Sequence, residues 1–296
     1  MNSIVGIGLG SNSLQAVEID HSGRTKTVLA MGEYLYARTR GEKSPEQKSD
    51  IFSEGLSFFF NSQGFRSKRV SVALDTSSLF LHTLPVEAGL SGSQMTEQLN
   101  WELNQYFPET NPKDFITDVH VLSENPAQRL KEILSVSVRR KETARIQRAI
   151  AAIGRTVHIV DVDHFASETA LRVNYPDTSA KDLALVGIKR HRVDISLLRK
   201  GVMESYRYHL VESDAELIEH VGSLSREARG VFSIVAYGPY LDNNLLVGIR
   251  RKSNILVEAL NPLRHLSVSR TVRLGDNVAG PSYRFAAAIG VALRQD

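Results

Sequence analysis

Apolar and polar positions fall in blocks along the chain, and the block boundaries predict its elements. Ser3 to Leu9 is an apolar run that predicts a buried strand, and Gly8, Gly10, Ser11 and Asn12 predict the turn after it. Leu14 to Asp20 alternates apolar and polar side chains as a second strand. His21-Ser22-Gly23-Arg24 turns the chain again, and Lys26 to Leu35 predicts a third strand of an N-terminal meander. Arg40 to Lys48 is polar and reads as a loop. Between Asp50 and Phe60, residues Ile51, Leu56, Phe59 and Phe60 recur with roughly helical spacing, and Arg69 to Leu74 is a short apolar strand. A helix crossing between two strands predicts a layered α/β unit.

The pattern changes near Asp75. Leu79 to Leu84 predicts a strand stopped by Pro85. A helix from about Ser93 to Tyr106 carries Met95, Leu99, Trp101 and Leu103, with Phe107 after it, and Pro108 ends it. Phe115 to Leu122 and Lys131 to Val138 read as strands, and Arg140 to Ile153 as a helix ended by Gly154. This order marks residues 75–157 as a small inserted α+β module. Val157 to Val162 is a strand returning to the first domain, and Phe165 to Tyr175 a helix. Tyr175-Pro176-Asp177-Thr178-Ser179 is the best domain boundary, giving domains over 1–176 and 177–296.

The second half opens with another meander: Leu183 to Ile188, Val193 to Leu198 and Val202 to Leu210. It is a weak internal repeat of the first. Between Val211 and Arg229 there is room for one helix. Val231 to Ala236 is a strand, Tyr237-Gly238-Pro239-Tyr240 a turn, Leu241 to Arg250 a short helix and Ile255 to Leu260 a strand. Ser282 to Arg294 is a closing helix whose small residues allow close packing on a sheet.

Composition narrows the chemistry. The 296 residues suffice for one large core or two modest domains. There is no cysteine, so disulfides, thiolate nucleophiles and thiolate metal sites are excluded. The formal charge of +3 is too small to imply nucleic acid. No apolar run approaches the ~20 residues of a membrane span, and no signal peptide is expected. Work at a membrane would need a partner to bring the protein there.

Several residues invite a chemical reading. The turn at Gly10, Ser11 and Asn12 can offer backbone N–H groups to a phosphate, or can be a tight turn whose glycines only permit its dihedrals. Lys189, Arg190 and Arg192 can bind an anion without magnesium, or form a solvated hairpin tip. Tyr237 can stack on a base or fill the cavity. Asp161, Asp163 and His164 can be an acid–base or metal cluster. Met95, Leu99, Trp101, Glu102, Tyr106 and Phe107 form a helical patch, part core and part interface anchor.

Four stretches carry a family resemblance. They are Gly6 to Ser13; Leu84-Pro85 to Leu90 with Trp101-Glu102 and Tyr106-Phe107-Pro108; Val136 to Glu142 continuing to Val160 through Ala166; and Leu260-Asn261-Pro262-Leu263 with Pro281 to Leu293. Across most of its length the chain resembles the PilM-like type IV pilus assembly proteins, in the FtsA and PilM branch of the actin-like superfamily. The Leu-Pro to Tyr-Phe-Pro segment is the specific signal.

The resemblance implies an α/β actin-like (ribonuclease H-like) two-domain fold with an inserted subdomain, called 1C, over 75–157. The helical subdomain 2B is reduced to about 211–229. The same resemblance implies a structural role for Asp161, Asp163 and His164, with Asp163 near an N-cap. Family members bind ATP in a central cleft and hold the short cytoplasmic tail of an inner-membrane protein, PilN. In this chain the motifs depart from that pattern. Gly8 stands where the first phosphate turn has an Asp, and uncharged Gln15 follows. Gly187 and Lys189 replace the Asp and Gly of the second turn, and Ala236-Tyr237-Gly238 replaces a Gly-Gly pair. No carboxylate is found at the expected metal positions or in the cleft.

The expected function is therefore a non-catalytic scaffold of a type IV pilus or related secretion assembly. It is expected to be cytoplasmic, peripheral to the inner membrane through the PilN-like tail, with self-association and other platform components as further partners. No catalytic residue, metal, cofactor or nucleic acid is expected. An ATP-binding assembly switch with atypical phosphate loops is the alternative, and a divergent sugar or metabolite kinase a third. Cleft residues on either nucleotide reading are Gly10, Ser11, Asn12, Gln15, Lys189, Tyr237 and Gly238. Tail-groove residues are Trp101, Tyr106, Phe107, Phe115, Val119, Arg139, Arg140 and Phe165.

Overall fold

A computed structural model of the chain describes residues 2–10, 12–36, 45–227, 230–270, 272 and 281–294, with backbone alone for 45–50 and 227. Strands β1 (Ser3–Leu9), β2 (Ser13–Asp20) and β3 (Thr27–Leu35) form the predicted meander. Helix α1 (Pro45–Ser57) passes into a single wide turn, Phe58–Ser62, and leads to β4 (Arg69–Leu74). Strand β8 (Thr156–Val162) pairs parallel with β4, which pairs parallel with β1. The first sheet has the order β14-β3-β2-β1-β4-β8. Its outer strand β14 (Ser267–Val268) arrives from the far end of the chain and was not predicted. Two residues carry no readable period.

Between β4 and β8 lies the module: β5 (Phe80–Glu87), α2 (Gly92–Tyr106), β6 (Phe115–Asn125), β7 (Leu130–Arg139) and α3 (Arg140–Ala152). Its sheet has the order β5-β7-β6. Pro85 does not stop β5, contrary to the expectation. It pairs opposite Glu132 on an edge strand, where a missing N–H can face away from the ladder. Helix α2 begins at a capping box, with the Ser91 side chain accepting from Gln94 N and the Gln94 side chain accepting from Ser91 N.

Helix α4 (Asp163–Asn174) leads to the second sheet, made from β9 (Leu183–Lys189), β10 (Arg192–Arg199), β11 (Val202–Leu210), β12 (Ser233–Tyr237) and β13 (Leu256–Ala259), in the order β11-β10-β9-β12-β13. One helix, α5 (Asp214–Glu227), fills the interval before β12, and α6 (Asn243–Lys252) lies between β12 and β13. The closing segment is a short 3₁₀ turn, Ser282–Phe285, followed by α7 (Ala286–Leu293), so the predicted single helix is broken at its start.

Helix α7 is buried against α4 and β1. A Cβ on Gly290 would lie 1.7 Å from the Ala166 carbonyl oxygen, so the two helices touch backbone to backbone. The core is continuous from Leu171 through Leu185, Ile195 and Ile234 in the second sheet, with a second cluster around Val5, Phe59, Val72 and Ile150 in the first.

Candidate functional site

The central strands of both sheets end at one cleft, as parallel strands place their carboxyl ends at a binding crevice. Gly8 and Leu9 close β1, Asp75 follows β4, Asp163 follows β8, Lys189 closes β9 and Tyr237 closes β12. All of them line the cleft.

Lys189 is its centre. The Lys189 Nζ lies 2.6 Å from Asp163 Oδ2, 2.9 Å from Asp75 Oδ1 and 3.3 Å from Asp194 Oδ2, and it also donates to Thr76 Oγ1. Its side chain is 11% exposed and that of Asp194 0%. Thr76 Oγ1 donates to Asp194 Oδ2 at 2.8 Å, and Thr76 N to Asp163 Oδ1 at 3.3 Å. On the far side, Asp194 Oδ1 accepts from Arg192 Nε at 2.8 Å and Tyr206 Oη at 2.6 Å. The network therefore ties the first sheet, the entrance to the module and the second sheet to one ammonium.

Charge states follow from the geometry. Burial alone would lower the Lys189 ammonium, but Asp163, Asp75 and Asp194 outweigh it and hold the pKa well above its ordinary value. Burial pushes the Asp163 carboxyl up to about 7, against the pull of Lys189. Asp194 is also removed from water, yet Lys189 and Arg192, with the Tyr206 hydrogen bond, hold it below the usual carboxylate range. His164 is buried and lowered to about 4 by desolvation, so it is neutral. Its Nδ1 meets Tyr237 Oη at 2.8 Å and its Nε2 meets Ser196 Oγ at 2.8 Å.

Two sequence expectations are corrected here. Lys189 is neither a solvated hairpin tip nor a free anion binder, because three carboxylates already hold it. Carboxylates do line the cleft, as Asp75 and Asp163, with Asp194 buried behind them. Asp163 does stand near the N-cap of α4, directly after Val162, but it makes no side-chain cap bond, and its carboxylate turns to Lys189. Asp161 is separate and pairs with Arg294.

The other proposed cleft residues fall as follows. Gly10 lines the cleft, donates its N–H to Ser13 O at 3.0 Å and accepts at its carbonyl from Tyr36 Oη. Ser11 lies outside the described residues. Asn12 is exposed and accepts at its carbonyl from Tyr36 N at 3.2 Å. Gln15 is buried, donating from Nε2 to Ser13 Oγ at 2.6 Å and to Glu33 Oε1 at 2.9 Å. Tyr237 fills space: its hydroxyl would sit 2.6 Å from a Cβ placed on Gly187. Gly238, at φ 125°, approaches Ile188 O so closely that a Cβ would lie 2.3 Å away. The free space left in the cleft is about 20 Å³, room for about one water.

The partner-binding set divides. Tyr106, Phe107, Phe115 and Arg139 come together, with Phe107 and Phe115 centroids 5.4 Å apart and Arg139 Cζ 5.3 Å over Phe115. Phe80 and His82, missed in the sequence, complete the patch at 4.8 Å and 5.1 Å from Tyr106. Their signal was the alternation of β5, which puts 80 and 82 on one face. Trp101 is 60% exposed and leaves Leu99 and Leu103 to form the buried side of α2. Val119 packs on the module core, and Arg140 Nε donates to Lys113 O at 2.7 Å. Phe165 lies on α4 against Tyr206 at 5.8 Å, next to the cleft network. The network residues Asp75, Thr76, Asp194, Ser196 and Tyr206 were missed. Strand ends at a cleft and the alternation of Arg192 with Asp194 were the available signals.

Comparison with known proteins agrees with this geometry. A family model described as "Type IV pilus assembly protein PilM" matches residues 6–209. The chain is similar to a structure titled "PilM-PilN type IV pilus biogenesis complex", with 17% identity over 98% of this chain and 97% of that one, and a TM-score of 0.78. It is also similar to a Bacteroides thetaiotaomicron protein with an actin-like ATPase fold, at 11% identity, 88% and 91% coverage and a TM-score of 0.54. A third similar structure is the cytoplasmic domain of EpsL, an inner-membrane component of the Vibrio cholerae type II secretion system, at 11% identity, 99% and 97% coverage and a TM-score of 0.52. The fold is actin-like.

Proposed function

The chain belongs to the type IV pilus assembly protein PilM family, and from that premise we propose that it is a non-catalytic scaffold in which the nucleotide cleft has become an internal tie. The observation that carries this reading is the Lys189 cluster. Its ammonium sits at the end of the second phosphate turn, saturated by Asp75, Asp163 and Asp194. Three carboxylates face two cations, Lys189 and Arg192, so the cleft floor offers a phosphate no net positive charge. Tyr237 removes the volume a base would use. A pocket for a molecule of nucleotide size needs several hundred Å³, against the about 20 Å³ left.

On this reading no magnesium nucleotide is bound and no phosphoryl transfer occurs. The domains run over 1–176, with the 75–157 module inserted, and 177–296, with a reduced 2B region. The aromatic patch of Phe80, His82, Tyr106, Phe107 and Phe115 beside Arg139 supports docking of a short tail of a PilN-like inner-membrane protein, which would hold the scaffold at that membrane. Among the described residues no helix is long and apolar enough to cross a membrane.

Titration calorimetry with magnesium-ATP tests the first part: no saturable heat is expected, and tight binding overturns the scaffold reading in favour of an ATP-dependent switch. Affinity purification from detergent-solubilised membranes tests the second. An inner-membrane protein with one short cytoplasmic tail is expected, lost in Phe107→Ala, and its absence counts against assembly.

A further inference from the structure

The end of the second sheet that faces away from the cleft carries a surface that neither the Lys189 cluster nor the aromatic patch uses. Strands β9, β12 and β13 begin there, and the β10–β11 hairpin turns there. Three large apolar side chains are exposed on it: Val202 at 63%, Phe232 at 57% and Leu256 at 56%. Register spaces them. Ser233, next to Phe232, pairs with Leu183 on one side and Leu256 on the other, while Val202 opens β11 opposite Arg199. From β11 to β13 the sheet steps about 19 Å at ~4.8 Å per strand.

One apolar tip meets a cation directly, and cations lie close to the other two along the chain. Lys181 Nζ lies 5.3 Å over the Phe232 ring. Lys200 occupies the hairpin turn at φ 50°, two residues before Val202. Arg251 is in the last turn of α6, which leads into β13 and Leu256. Neighbouring acids are already matched: Asp182 and Glu204 hold Arg199 at 2.7 Å and 2.9 Å, and Glu219 holds Lys252 at 2.6 Å. Lys181, Lys200 and Arg251 make no ion pair among the described residues, where Asp177 is the exposed carboxylate on the adjoining turn.

We propose that this end of the second sheet rests on an anionic lipid surface. A protein partner anchors on a contiguous, desolvated centre. Here the apolar groups stand singly at separate strands, Phe232 under Lys181 and the others a few residues from Lys200 and Arg251 in the chain. That arrangement suits a headgroup layer, where apolar tips enter the acyl boundary and basic groups meet phosphates. The contact is weak by itself and becomes useful as a second signal beside a protein tether. It does not depend on tail binding.

Flotation of the full chain with vesicles tests it. The wild type is expected to float with phosphatidylcholine vesicles containing phosphatidylglycerol, to ignore pure phosphatidylcholine and to be released by high salt. The triple variant Lys181→Gln, Lys200→Gln, Arg251→Gln should lose about 100-fold in partition, about fivefold per side chain, and Phe232→Ser should also weaken it. A control removing Lys113, Arg129 and Arg148, exposed cations on the inserted module, carries the same change in net charge and should still float. Thermal melts check that the variants fold. Absence of wild-type flotation, equal losses in both triple variants, or capture by a soluble acidic polypeptide in place of vesicles overturns the proposal. Recovery of the membrane partner by the lipid-defective variant separates this contact from the tail.

Discussion

Replacing Lys189 with Met is the sharpest perturbation of the cleft. Methionine approximates the stem and deletes the ammonium. Asp75, Asp163 and Asp194 then face one another with only Arg192 left nearby, on one side of Asp194. Removing one partner of a buried ionic cluster costs about 3–5 kcal/mol, because the remaining charge is left uncompensated. For a chain of this size, at ~2.1 cal/mol/K of unfolding entropy per residue, that corresponds to a fall of about 5–8 °C in melting temperature. The sign with pH is defined. Lys189 is held above its ordinary value, so its contribution is complete at neutral pH and fades only as pH climbs beyond about 10. Asp194 is depressed, so its contribution is present above about 4 and is lost as pH falls below that. Asp163 is raised to about 7 by burial, so it opposes folding increasingly from about pH 4 up to that value. Without Lys189 its carboxyl moves higher still. The gap between wild type and Lys189→Met should therefore widen between pH 5.5 and 8, read by thermal melts in matched buffers. Adding Asp163→Asn to the variant should recover part of the loss, since it removes one of the unmatched charges. Melting within 2 °C of wild type at pH 8, or strictly additive effects in the double variant, would refute the tie.

Other outcomes follow from packing and exposure. Gly290→Ala should destabilise by about 3 kcal/mol or more, measured by urea denaturation, because its Cβ would strike Ala166 O and force α4 from α7. Gly238→Ala should also destabilise, through both its φ of 125° and the contact with Ile188 O. Trp101→Ala should stay within about 0.5 kcal/mol of wild type in stability, since the indole is mostly exposed; a large loss would mean that it packs on something. His164 is lowered to about 4, so its neutral, buried form favours folding above about 6.5, and that stability is lost as pH falls toward 4. An NMR titration showing His164 protonating near 6.5 would contradict that burial.

Much of the architecture was legible in the chain. Ser3–Leu9, Arg69–Leu74 and Val202–Leu210 were predicted to their observed limits, because uninterrupted apolar or alternating runs bounded by Gly, Asn or charged residues leave little freedom. The Ser91–Gln94 capping box that starts α2 went unread, although its chemistry is local, whereas Gly154, at φ 68°, closes α3 as predicted in the left-handed turn that glycine allows. Pro85 misled, since edge position is a property of the sheet and not of the residue. β14 was invisible for the same reason: its ladder partner, Thr27–Val28, lies across the whole chain.

The cleft divides along the same line. The sequence by itself shows glycine at 8 and 187, where the family resemblance expects the acids of two phosphate turns. It also set the order of strands and helices through local periodicity, and it carried the family resemblance that implies the actin-like layout. Only tertiary structure decided what Lys189 does. Asp75, Asp163 and Asp194 are separated from it by 114, 26 and 5 positions along the chain, and no local pattern links them. The ends of β4, β8 and β9 deliver Asp75, Asp163 and Lys189 to one point, antiparallel β10 adds Asp194 there, and removal from water makes each charge depend on the others. A lysine that reads as a hairpin tip thereby becomes the cation that holds the two halves together.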